Sequence, residues 1–310
     1  MEMSCVAVFG GTGFLGRAIV DRLAAAGATV RVAVRHPETV NVAAAAEGRV
    51  LAIQADVRDE TSVGSALKGC EAAVNAVGLY SERGTETFGA VHELGAMHVA
   101  RQSARAGVKA LVHISGIGAD LNSRSRYVRS RARGEFLVRE AFQDATIVRP
   151  SVIFGLDDKF LNTLISATRW SPVLALFGTG KTRLQPVYVG DVAEAALRSL
   201  TTSSSRGKVF ELGGPQIFRY RTLIELVLKE TGRSRLLIPV PFFAWDVLAR
   251  LLRLLPKPPL TTDVVTLMRR DNVVGHDVLK FADLRFEPRA LEAVLHVMLS
   301  SRAYPPACSD

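Results

Sequence analysis

A glycine-rich loop between an apolar run and a helical segment is the feature that most restricts what this chain can fold into. The run Cys5–Phe9 is short and apolar and is ended by glycines, which is typical of a buried strand. Gly10, Gly13 and Gly16 follow it, and the residues after Gly16 have helical apolar spacing. Glycines let a backbone approach a pyrophosphate, and a helix N-terminus points unpaired N–H groups at that anion. The order strand, loop, helix therefore predicts a dinucleotide site.

Strand-like and helix-like segments alternate through the rest of the first half of the chain. Their spacing indicates βαβ units and a parallel sheet with helices on both faces. The predicted fold class is α/β, a doubly wound parallel Rossmann sheet, in a domain that covers residues 1–150. The predicted strands are 5–9, 29–34, 50–55, 72–77, 110–115 and 145–149, and the predicted helices are 16–26, 63–67, 91–106 and 127–142.

The character of the sequence changes after Pro150. Prolines become frequent and the regular alternation is lost, so we expect residues 151–310 to form a smaller, irregular C-terminal lobe that contacts a substrate or partner. Parts of 186–213 could return a strand and a helix to the first domain. The sequence thus predicts two domains, of which only the first has a regular pattern.

Composition excludes several classes of protein. Hydrophobic residues make up 48% of the chain, a share that a disordered protein would not have. The three cysteines, Cys5, Cys70 and Cys308, lack metal-ligand spacing and suit a reducing compartment better than a disulfide scaffold. The net charge is +9, but the basic residues are scattered except in one stretch, so we do not expect nucleic-acid binding. We also expect no bound metal, no membrane-spanning segment and no cleaved targeting sequence.

The identity of the dinucleotide can be predicted from the end of the second strand. The glycine spacing G-x-x-G-x-x-G resembles that of the short-chain dehydrogenase/reductase superfamily. An Asp or Glu after the second strand would bind a free ribose 2′-hydroxyl, but here the residue is Arg35. A guanidinium suits a 2′-phosphate, and Arg17 could add a second positive charge, so NADPH or NADP+ is the predicted cofactor. The alternative is that Arg35 only ends a strand in solvent.

The same resemblance implies further contacts with the nucleotide. Asp56 and Val57 follow the third predicted strand, where the superfamily binds adenine, and Ala76 and Val77 follow the fourth, where its chain passes the ribose. With the glycine loop and residues near the nicotinamide, these positions make up the predicted cofactor site. The full set is Gly10, Thr12, Gly13, Phe14, Leu15, Gly16, Arg17, Arg35, Asp56, Val57, Ala76, Val77, Tyr127, Arg131, Pro150 and Ser151.

Ser115 and Tyr127 stand at the catalytic positions that the superfamily implies. There, a Ser and a Tyr hydrogen-bond the substrate carbonyl, and a Lys one helical turn after the Tyr binds the ribose and assists proton transfer. In this chain the Lys position holds Arg131, which keeps the positive charge but cannot release a proton at neutral pH. Ser115, Tyr127 and Arg131 are therefore candidate catalytic residues for which we expect weak or no turnover. We favour Ser115 and Tyr127 as cofactor contacts without chemistry.

The chain as a whole resembles one branch of atypical short-chain dehydrogenases. That branch is the NADPH-binding Rossmann-type accessory subunit of respiratory complex I (NADH:ubiquinone oxidoreductase) and its bacterial relatives. Its members share motifs with this chain from the glycine loop to the last third of the sequence. The segments that carry the resemblance are 9–17, 125–129, 134–135, 148–155, 158–162, 185–192, 212–215, 241–245, 262–263 and 271–272.

Membership in that branch implies an NADP(H)-binding accessory or assembly subunit of complex I whose nucleotide is mainly structural. It implies subunits of the quinone-reducing arm as partners, together with a peripheral membrane contact. The implied location is cytoplasmic, on the inner face of the bacterial inner membrane, or on the matrix side in an organelle. Two alternatives stay open. One is a free NADP(H)-dependent oxidoreductase with a quinone-like or carbonyl substrate, and the other is a sensor of the NADPH ratio.

An arginine cluster lies on the predicted helix 127–142 and just before it. Most of its members are expected to be a solvated helix face, and the alternative is a surface for an anionic partner. The cluster consists of Arg124, Arg126, Arg129, Arg131, Arg133 and Arg139.

The segment 239–256 has a helical stripe of large apolar residues with arginines beside it. We favour a core helix of the second lobe. The alternative is an amphipathic helix at a membrane interface, where the aromatic residues would lie at headgroup depth. The stripe consists of Phe243, Val247, Leu251 and Leu254, with Trp245, Arg250, Leu252 and Arg253 near it.

Overall fold

The computed structural model describes residues 4–40, 48–253, 255 and 260–301. Its strands agree closely with the predicted ones in the first half of the chain. They are β1 Cys5–Phe9, β2 Thr29–Val34, β3 Val50–Gln54, β4 Ala72–Asn75, β5 Ala110–Ile114, β6 Thr146–Pro150, β7 Ile153–Phe154, β8 Val173–Phe177, β9 Arg183–Leu184, β10 Val187–Tyr188, β11 Val209–Leu212, β12 Phe218–Arg219 and β13 Leu236–Val240.

Some of the helices start at a short polar side chain that caps them. The Asp59 carboxylate accepts a hydrogen bond from the Thr61 amide at the start of α2, and Ser125 Oγ accepts one from the Val128 amide at the start of α4. A π-helix, Gly89–Gly95, runs directly into α3 and replaces the first turns of the predicted helix 91–106. The α-helices are α1 Phe14–Ala25, α2 Glu60–Leu67, α3 Ala96–Arg105, α4 Arg126–Ala141, α5 Phe160–Trp170, α6 Val189–Thr201, α7 Tyr220–Glu230, α8 Phe242–Leu252, α9 Thr262–Leu267 and α10 Leu291–Ser301.

The chain divides into two compact units. Among the described residues, the first unit contains the chain up to Pro150, then Val189–Leu212 and Gly275–Glu287. The second contains Ser151–Tyr188, Gly213–Val274 and the residues from Pro288 onward. The return of Gly275–Glu287 to the first unit is a feature that the sequence did not indicate. It is held there by a bridge between Phe210 and Leu279 beside β11.

The first unit is a seven-stranded parallel sheet in the order β11-β6-β5-β4-β1-β2-β3. One face packs against α1 and α6, and the other against α2, α3 and α4. The strand order reverses between β1 and β4, so the connections leave these two strands in opposite directions. The predicted doubly wound parallel sheet is confirmed, and the reversal opens a crevice at the carboxyl ends of β1 and β4.

The second unit is built from short elements around its own apolar core. It holds three two-stranded sheets, which pair β7 with β10, β8 with β13 and β9 with β12. Leu161 and Ile165 of α5 pack in that core with Leu223 and Ile224 of α7 and with Leu295 of α10. No helix in the part of the chain that the structure describes is long and apolar enough to cross a membrane.

The favoured core-helix interpretation of the 239–256 segment is wrong. Phe243 is 71% exposed and Leu251 is 62% exposed, and Ala249 is the buried residue of α8. The helix instead packs through its other side, where Trp245 Nε1 donates a hydrogen bond to the Leu176 carbonyl and the Trp245 ring lies 4.4 Å from that of Phe177. Large apolar residues lie on more than one side of α8, and the side that carries Phe243 and Leu251 is left exposed. Leu254 and Pro256 lie outside the described residues.

Candidate functional site

The glycine loop lies at the carboxyl end of β1, beside the carboxyl end of β4. Gly10 has φ +79°, and a Cβ on it would come within 2.8 Å of the Ala76 carbonyl, which follows β4. Gly13 donates its amide to the Gly10 carbonyl at 3.0 Å and is the N-cap residue of α1. A Cβ on Gly16 would lie 2.0 Å from the Gly10 carbonyl oxygen. These contacts explain the glycines physically, because a side chain at Gly10 or Gly16 would collide with backbone.

The other predicted loop residues surround this turn. Thr12 is exposed, Phe14 and Leu15 are half-buried in the first turn of α1, and Arg17 is exposed one turn further on. No acidic residue lies in the first turn of α1, so the positive end of its dipole is left for an anion. The geometry of the loop fits a pyrophosphate.

Arg35 follows β2 directly and ends at the same edge of the sheet as the glycine loop. Its guanidinium forms an ion pair with the carboxylate of Glu86, in a turn that follows β4. The side chain of Arg35 is 53% exposed, so it is accessible as well as paired. Glu86 is a residue that the sequence analysis missed, because the two partners are far apart in the chain.

Asp56, which follows β3, is held by a neighbouring arginine. Arg58 Nε lies 3.0 Å from Asp56 Oδ1, and an Arg58 Nη lies 2.5 Å from Asp56 Oδ2. This hydrogen bonding with Arg58 is the largest influence that lowers the pKa of Asp56 below its ordinary value. Val57 is buried and accepts a hydrogen bond from His98 Nδ1 on its carbonyl at 2.8 Å. Arg58 also donates to Thr85 Oγ1 at 2.7 Å, so it joins Asp56 to the turn that carries Glu86.

The structure brings Ser115, Tyr127 and Arg131 to the carboxyl ends of β4 and β5. Ser115 directly follows β5 and is buried, with its amide donating to the Val148 carbonyl of β6. An Nη of Arg131 donates to the Ile114 carbonyl at the end of β5, at 3.2 Å. The carbon of that guanidinium lies 5.3 Å from the centre of the Tyr127 ring.

Two buried polar atoms at this edge support a ligand there. Among the described residues, Ser115 Oγ and Arg131 Nε are buried and have no hydrogen-bond partner. An unsatisfied buried donor is costly, and native proteins rarely leave one without a reason. A polar ligand beside Gly78, whose Cβ position lies 3.1 Å from an Arg131 Nη, would resolve that cost. The residues present therefore fit the ribose and nicotinamide end of a dinucleotide.

A buried histidine orders the helix that carries Tyr127. His92 Nε2 accepts the Leu79 amide at 2.9 Å, which leaves Nδ1 as the protonated nitrogen that donates to Ser130 Oγ at 2.9 Å. Ser130 Oγ in turn donates to the Tyr127 carbonyl at 2.8 Å. Burial, and next the charge of Arg131, lower the pKa of His92 to about 3, so its imidazole is neutral at physiological pH.

Aromatic residues enclose the Tyr127 ring. Tyr80 stacks on it with a centroid distance of 5.9 Å, and Phe88 meets it edge-on at 5.8 Å. His92 meets it edge-on at 5.6 Å. The sequence analysis missed these three residues, although their occurrence shortly after β4 was a signal that could have found them.

The structure places Pro150 and Ser151 at the end of β6 and beyond it. Pro150 is buried and accepts the Ile117 amide on its carbonyl at 3.1 Å. Ser151 Oγ lies in the second unit and bonds the Asn272 side-chain oxygen at 2.5 Å and the Asn272 carbonyl at 3.0 Å. Ala76 and Val77 lie half-buried at the end of β4, with the Val77 amide bonded to Asn75 Oδ1 at 3.2 Å.

Most arginines of the predicted cluster make contacts within the first unit. Arg126 pairs with Glu82 at 3.0 Å, and Arg133 pairs with Glu93 at 3.3 Å. Arg129 donates to the Ser123 carbonyl and Arg139 to the Gly207 carbonyl. These contacts favour the interpretation as a helix face over a dedicated anion surface.

Comparison with known proteins agrees with this geometry. A family model described as NAD(P)H-binding matches residues 10–202, which supports a nicotinamide dinucleotide as the ligand. The chain is 34% identical over 192 residues to a ceramide reductase of Caulobacter vibrioides, across 61% of this chain and 58% of that protein. A nucleoside-diphosphate-sugar epimerase of Staphylococcus aureus superposes with a TM-score of 0.73 at 18% identity, over 94% of this chain and 99% of that one. That structural likeness shows the fold alone.

A further relative covers nearly the whole chain. It is the mitochondrial NADH dehydrogenase [ubiquinone] 1 alpha subcomplex subunit 9 of Rattus norvegicus, which is 32% identical over 303 residues. The alignment includes 96% of this chain and 80% of that protein, so it extends through both units. The chain therefore belongs to the family of NAD(P)H-binding Rossmann proteins that includes the alpha subcomplex subunit 9 of NADH dehydrogenase.

Proposed function

We propose that this chain is an NADP(H)-binding accessory or assembly subunit of respiratory complex I and that its nucleotide is mainly structural. The observation that carries the proposal is the similarity to a NADH dehydrogenase subunit along 96% of this chain. If the two proteins shared only a dinucleotide-binding domain, the alignment would not extend through the second unit. Because the alignment includes the second unit, it favours a common role for the two proteins and not only a common cofactor.

The arrangement at the end of β2 supports NADP(H) as the nucleotide. Arg35 presents an accessible guanidinium, and Arg58 adds a second one close by. Both are fork-shaped groups that bind phosphate oxygens well. Asp56 is already bound by Arg58, so its carboxylate is not free to select an unphosphorylated ribose.

Arg131 supports a nucleotide that is held rather than turned over. A bound nicotinamide dinucleotide supplies hydride chemistry, and the protein must then move a proton to or from the substrate. Arg131 is partly buried beside Tyr127 and keeps its proton at neutral pH, so it can bind and orient but cannot relay. Ser115 and Tyr127 then act as polar contacts of the nucleotide.

The second unit has a surface suited to the quinone-reducing arm and to a membrane. We define the α8 face as Phe243, Val247, Leu248 and Leu251, which are 41–71% exposed. Arg250 and Arg253 are exposed on the same segment. Apolar side chains with arginines beside them are the composition of helices that lie in an anionic membrane interface. This face favours peripheral contact at the inner face of a bacterial inner membrane, or at the matrix side in an organelle.

Size-exclusion chromatography of a detergent extract tests the proposed assembly. Membranes of cells that naturally make the chain are solubilised in a mild detergent and fractionated. We expect the chain to elute with NADH:quinone oxidoreductase activity at the mass of the complex. Elution at the mass of the chain alone, with the complex intact in other fractions, contradicts the proposal.

A second candidate function is a free NADP(H)-dependent reductase of a carbonyl or quinone-like substrate. Retention of Ser115 and Tyr127, together with the partial similarity to a ceramide reductase, favours it. Free elution in the same experiment, combined with rapid substrate-dependent NADPH oxidation, would select this function instead.

A further inference from the structure

The segment 79–88, which we name the strap, runs between the two ends of the candidate nucleotide site. It begins where the Leu79 amide is bonded to His92 and Tyr80 stacks on Tyr127. It continues to Glu86, whose carboxylate is paired with Arg35. Both contacts lie within the first unit, so the strap links the nicotinamide end to the position proposed for the 2′-phosphate.

The strap holds Glu86 in place through a tight turn. The Arg83 amide donates to the Glu86 carbonyl at 2.9 Å, and the Glu86 amide donates to the Arg83 carbonyl at 2.8 Å. Gly84 lies inside this turn with φ +52°, a conformation that favours glycine. Thr85 Oγ1 accepts a hydrogen bond from Arg58 at 2.7 Å. The turn thus fixes the backbone from which the Glu86 side chain reaches Arg35.

Four charged groups meet at this point, and their charges cancel. Arg35 pairs with Glu86, and Arg58 pairs with Asp56. The two pairs are one cluster, because Glu86 also interacts electrostatically with Arg58, and Arg35 with Asp56. A 2′-phosphate carries up to two negative charges, so it would meet a neutral cluster in which one nitrogen of the Arg35 guanidinium already pairs with Glu86. It can pair fully with Arg35 only if Glu86 moves away.

We propose that Glu86 is a cofactor-specificity residue that occupies Arg35 until a 2′-phosphate displaces it, so that the strap changes position only with a 2′-phosphorylated nucleotide. The inference rests on the proposed NADP(H) site and deepens it. NADH has no group that competes with Glu86, so it leaves the Arg35–Glu86 pair intact. Breaking this pair therefore lowers the binding free energy of NADP(H) but not that of NADH. The stronger contact between the 2′-phosphate and Arg35 offsets this loss.

The displacement reaches the nicotinamide end through the strap itself. Glu82 accepts the Phe88 amide at 2.9 Å and pairs with Arg126, next to Tyr127. Tyr80 covers the Tyr127 ring. A strap that moves with Glu86 therefore changes how Tyr80 covers Tyr127. In this way the presence of a 2′-phosphate at one end of the site alters the surroundings of Tyr127 at the other end.

Calorimetric titration with two small probes tests the role of Glu86. The probes are 2′,5′-ADP, which carries the 2′-phosphate, and 5′-AMP, which lacks it. We expect Glu86→Gln to bind 2′,5′-ADP about two- to fivefold more tightly, because that is the effect on affinity of losing one partly exposed ion pair. Its affinity for 5′-AMP should be unchanged. The matched control is Glu38→Gln, which removes a nearby carboxylate that pairs with His36 instead of Arg35. It should change neither affinity.

Hydrogen exchange gives a second readout of strap movement. Amides 83–86 should exchange at a different rate when the full-length protein binds NADPH, but not when it binds NADH. Unchanged or weaker 2′,5′-ADP binding in Glu86→Gln overturns the inference, and so does an equal gain in Glu38→Gln. If Arg35→Asp still weakens 2′,5′-ADP selectively in that case, the proposed NADP(H) site stands without the inference. If 2′,5′-ADP binds no more tightly than 5′-AMP in every variant, the NADP(H) assignment itself is wrong.

Discussion

The guanidinium carbon of Arg131 lies 5.3 Å from the centre of the Tyr127 ring, one helical turn along α4. A nitrogen of the same group reaches the Ile114 carbonyl at the end of β5, so Arg131 bridges the helix and the sheet. The resemblance to short-chain dehydrogenases predicts that this position corresponds to the proton-relaying lysine of those enzymes. Arginine keeps the positive charge at this position but does not release a proton at neutral pH.

Turnover should therefore be very slow. Proton transfer by a positioned group is worth about 10²- to 10⁴-fold in rate, and we expect NADPH oxidation to fall at least that far below an ordinary reductase. Quinones and simple carbonyls are assayed with the unmodified chain, with Arg131→Lys and with Tyr127→Phe. Nucleotide affinity should stay largely intact in the unmodified chain and in Arg131→Lys. Rapid oxidation by the unmodified chain that Tyr127→Phe abolishes would identify a reductase.

Replacement of Arg35 by Asp should alter cofactor choice. The loss of a charge-assisted pair to a like charge is worth about 2–4 kcal/mol, so NADPH affinity should fall about 30- to 1000-fold. NADH affinity should change much less. Arg49→Asp is the control, because Arg49 is also exposed and its side chain donates to the Gly27 carbonyl, away from Glu86 and Asp56. An equal loss for both nucleotides removes Arg35 from the phosphate site.

Substitution of Gly10 by Ala should destabilise the first unit and abolish nucleotide binding. A positive φ costs a residue other than glycine about 1–3 kcal/mol, and at Gly10 the Cβ also meets the Ala76 backbone at 2.8 Å. Gly69→Ala separates these effects, since Gly69 has φ +74° with nothing within 4 Å of its Cβ position. Chemical denaturation should show a larger loss in free energy of unfolding for Gly10→Ala. Equal losses in the free energy of unfolding would argue against a close approach of Gly10 to the Ala76 backbone.

The free energy of unfolding should decrease in acid because of two buried histidines. Burial, and next Arg131, lower the pKa of both His92 and His113 from 6.5 to about 3 in the folded state. The unfolded chain therefore binds more protons between these pH values, and stability is lost as the pH falls from 6.5 toward 3. Each histidine contributes a slope of at most about 1.4 kcal/mol per pH unit.

Thermal unfolding as a function of pH checks this dependence. His92→Gln, which can still bond Leu79 and Ser130, should reduce the slope by about one proton. A slope that does not change in His92→Gln would mean that His92 is not a buried neutral group.

The α8 face should bind membranes without contributing to stability. Phe243 and Leu251 are mostly exposed, so replacing both by Ser should change the free energy of unfolding by less than about 1 kcal/mol. Leu223→Ala, a buried control in α7, should cost about 2–5 kcal/mol. Co-sedimentation with anionic liposomes should be lost in the α8 variant and kept in the control. Strong unfolding of the α8 variant, with no liposome binding by the parent protein, contradicts the interfacial assignment.

The parts of the fold that the sequence predicted well are those in which local pattern and tertiary context agree. Cys5–Phe9 is buried on both sides, so its continuous apolar run identifies the strand. Backbone contacts leave no room for side chains at Gly10 and Gly16, so the glycines in the sequence identify the position of the loop. Strand β2 is found at the predicted residues because polar and apolar residues alternate along its first four positions.

The errors and omissions come from contacts between distant segments. Nothing near Arg35 in the chain indicates that Glu86 would be its partner. The exposed side of α8 could not be distinguished from its buried side, since Phe242 and Phe243 are chemically identical neighbours with different environments. The π-helix that positions His92 has no signal that helical periodicity detects.

The most direct test of the proposed role in complex I is to identify the proteins and nucleotides that co-purify with the tagged chain from solubilised membranes. Affinity isolation is followed by quantification of proteins and of nucleotides released by denaturation, both by mass spectrometry. We expect subunits of complex I together with NADP(H) in an amount nearly equal to that of the chain, and loss of the nucleotide in Arg35→Asp. Recovery of the chain without complex I subunits, or with NAD(H) in place of NADP(H), would contradict this expectation.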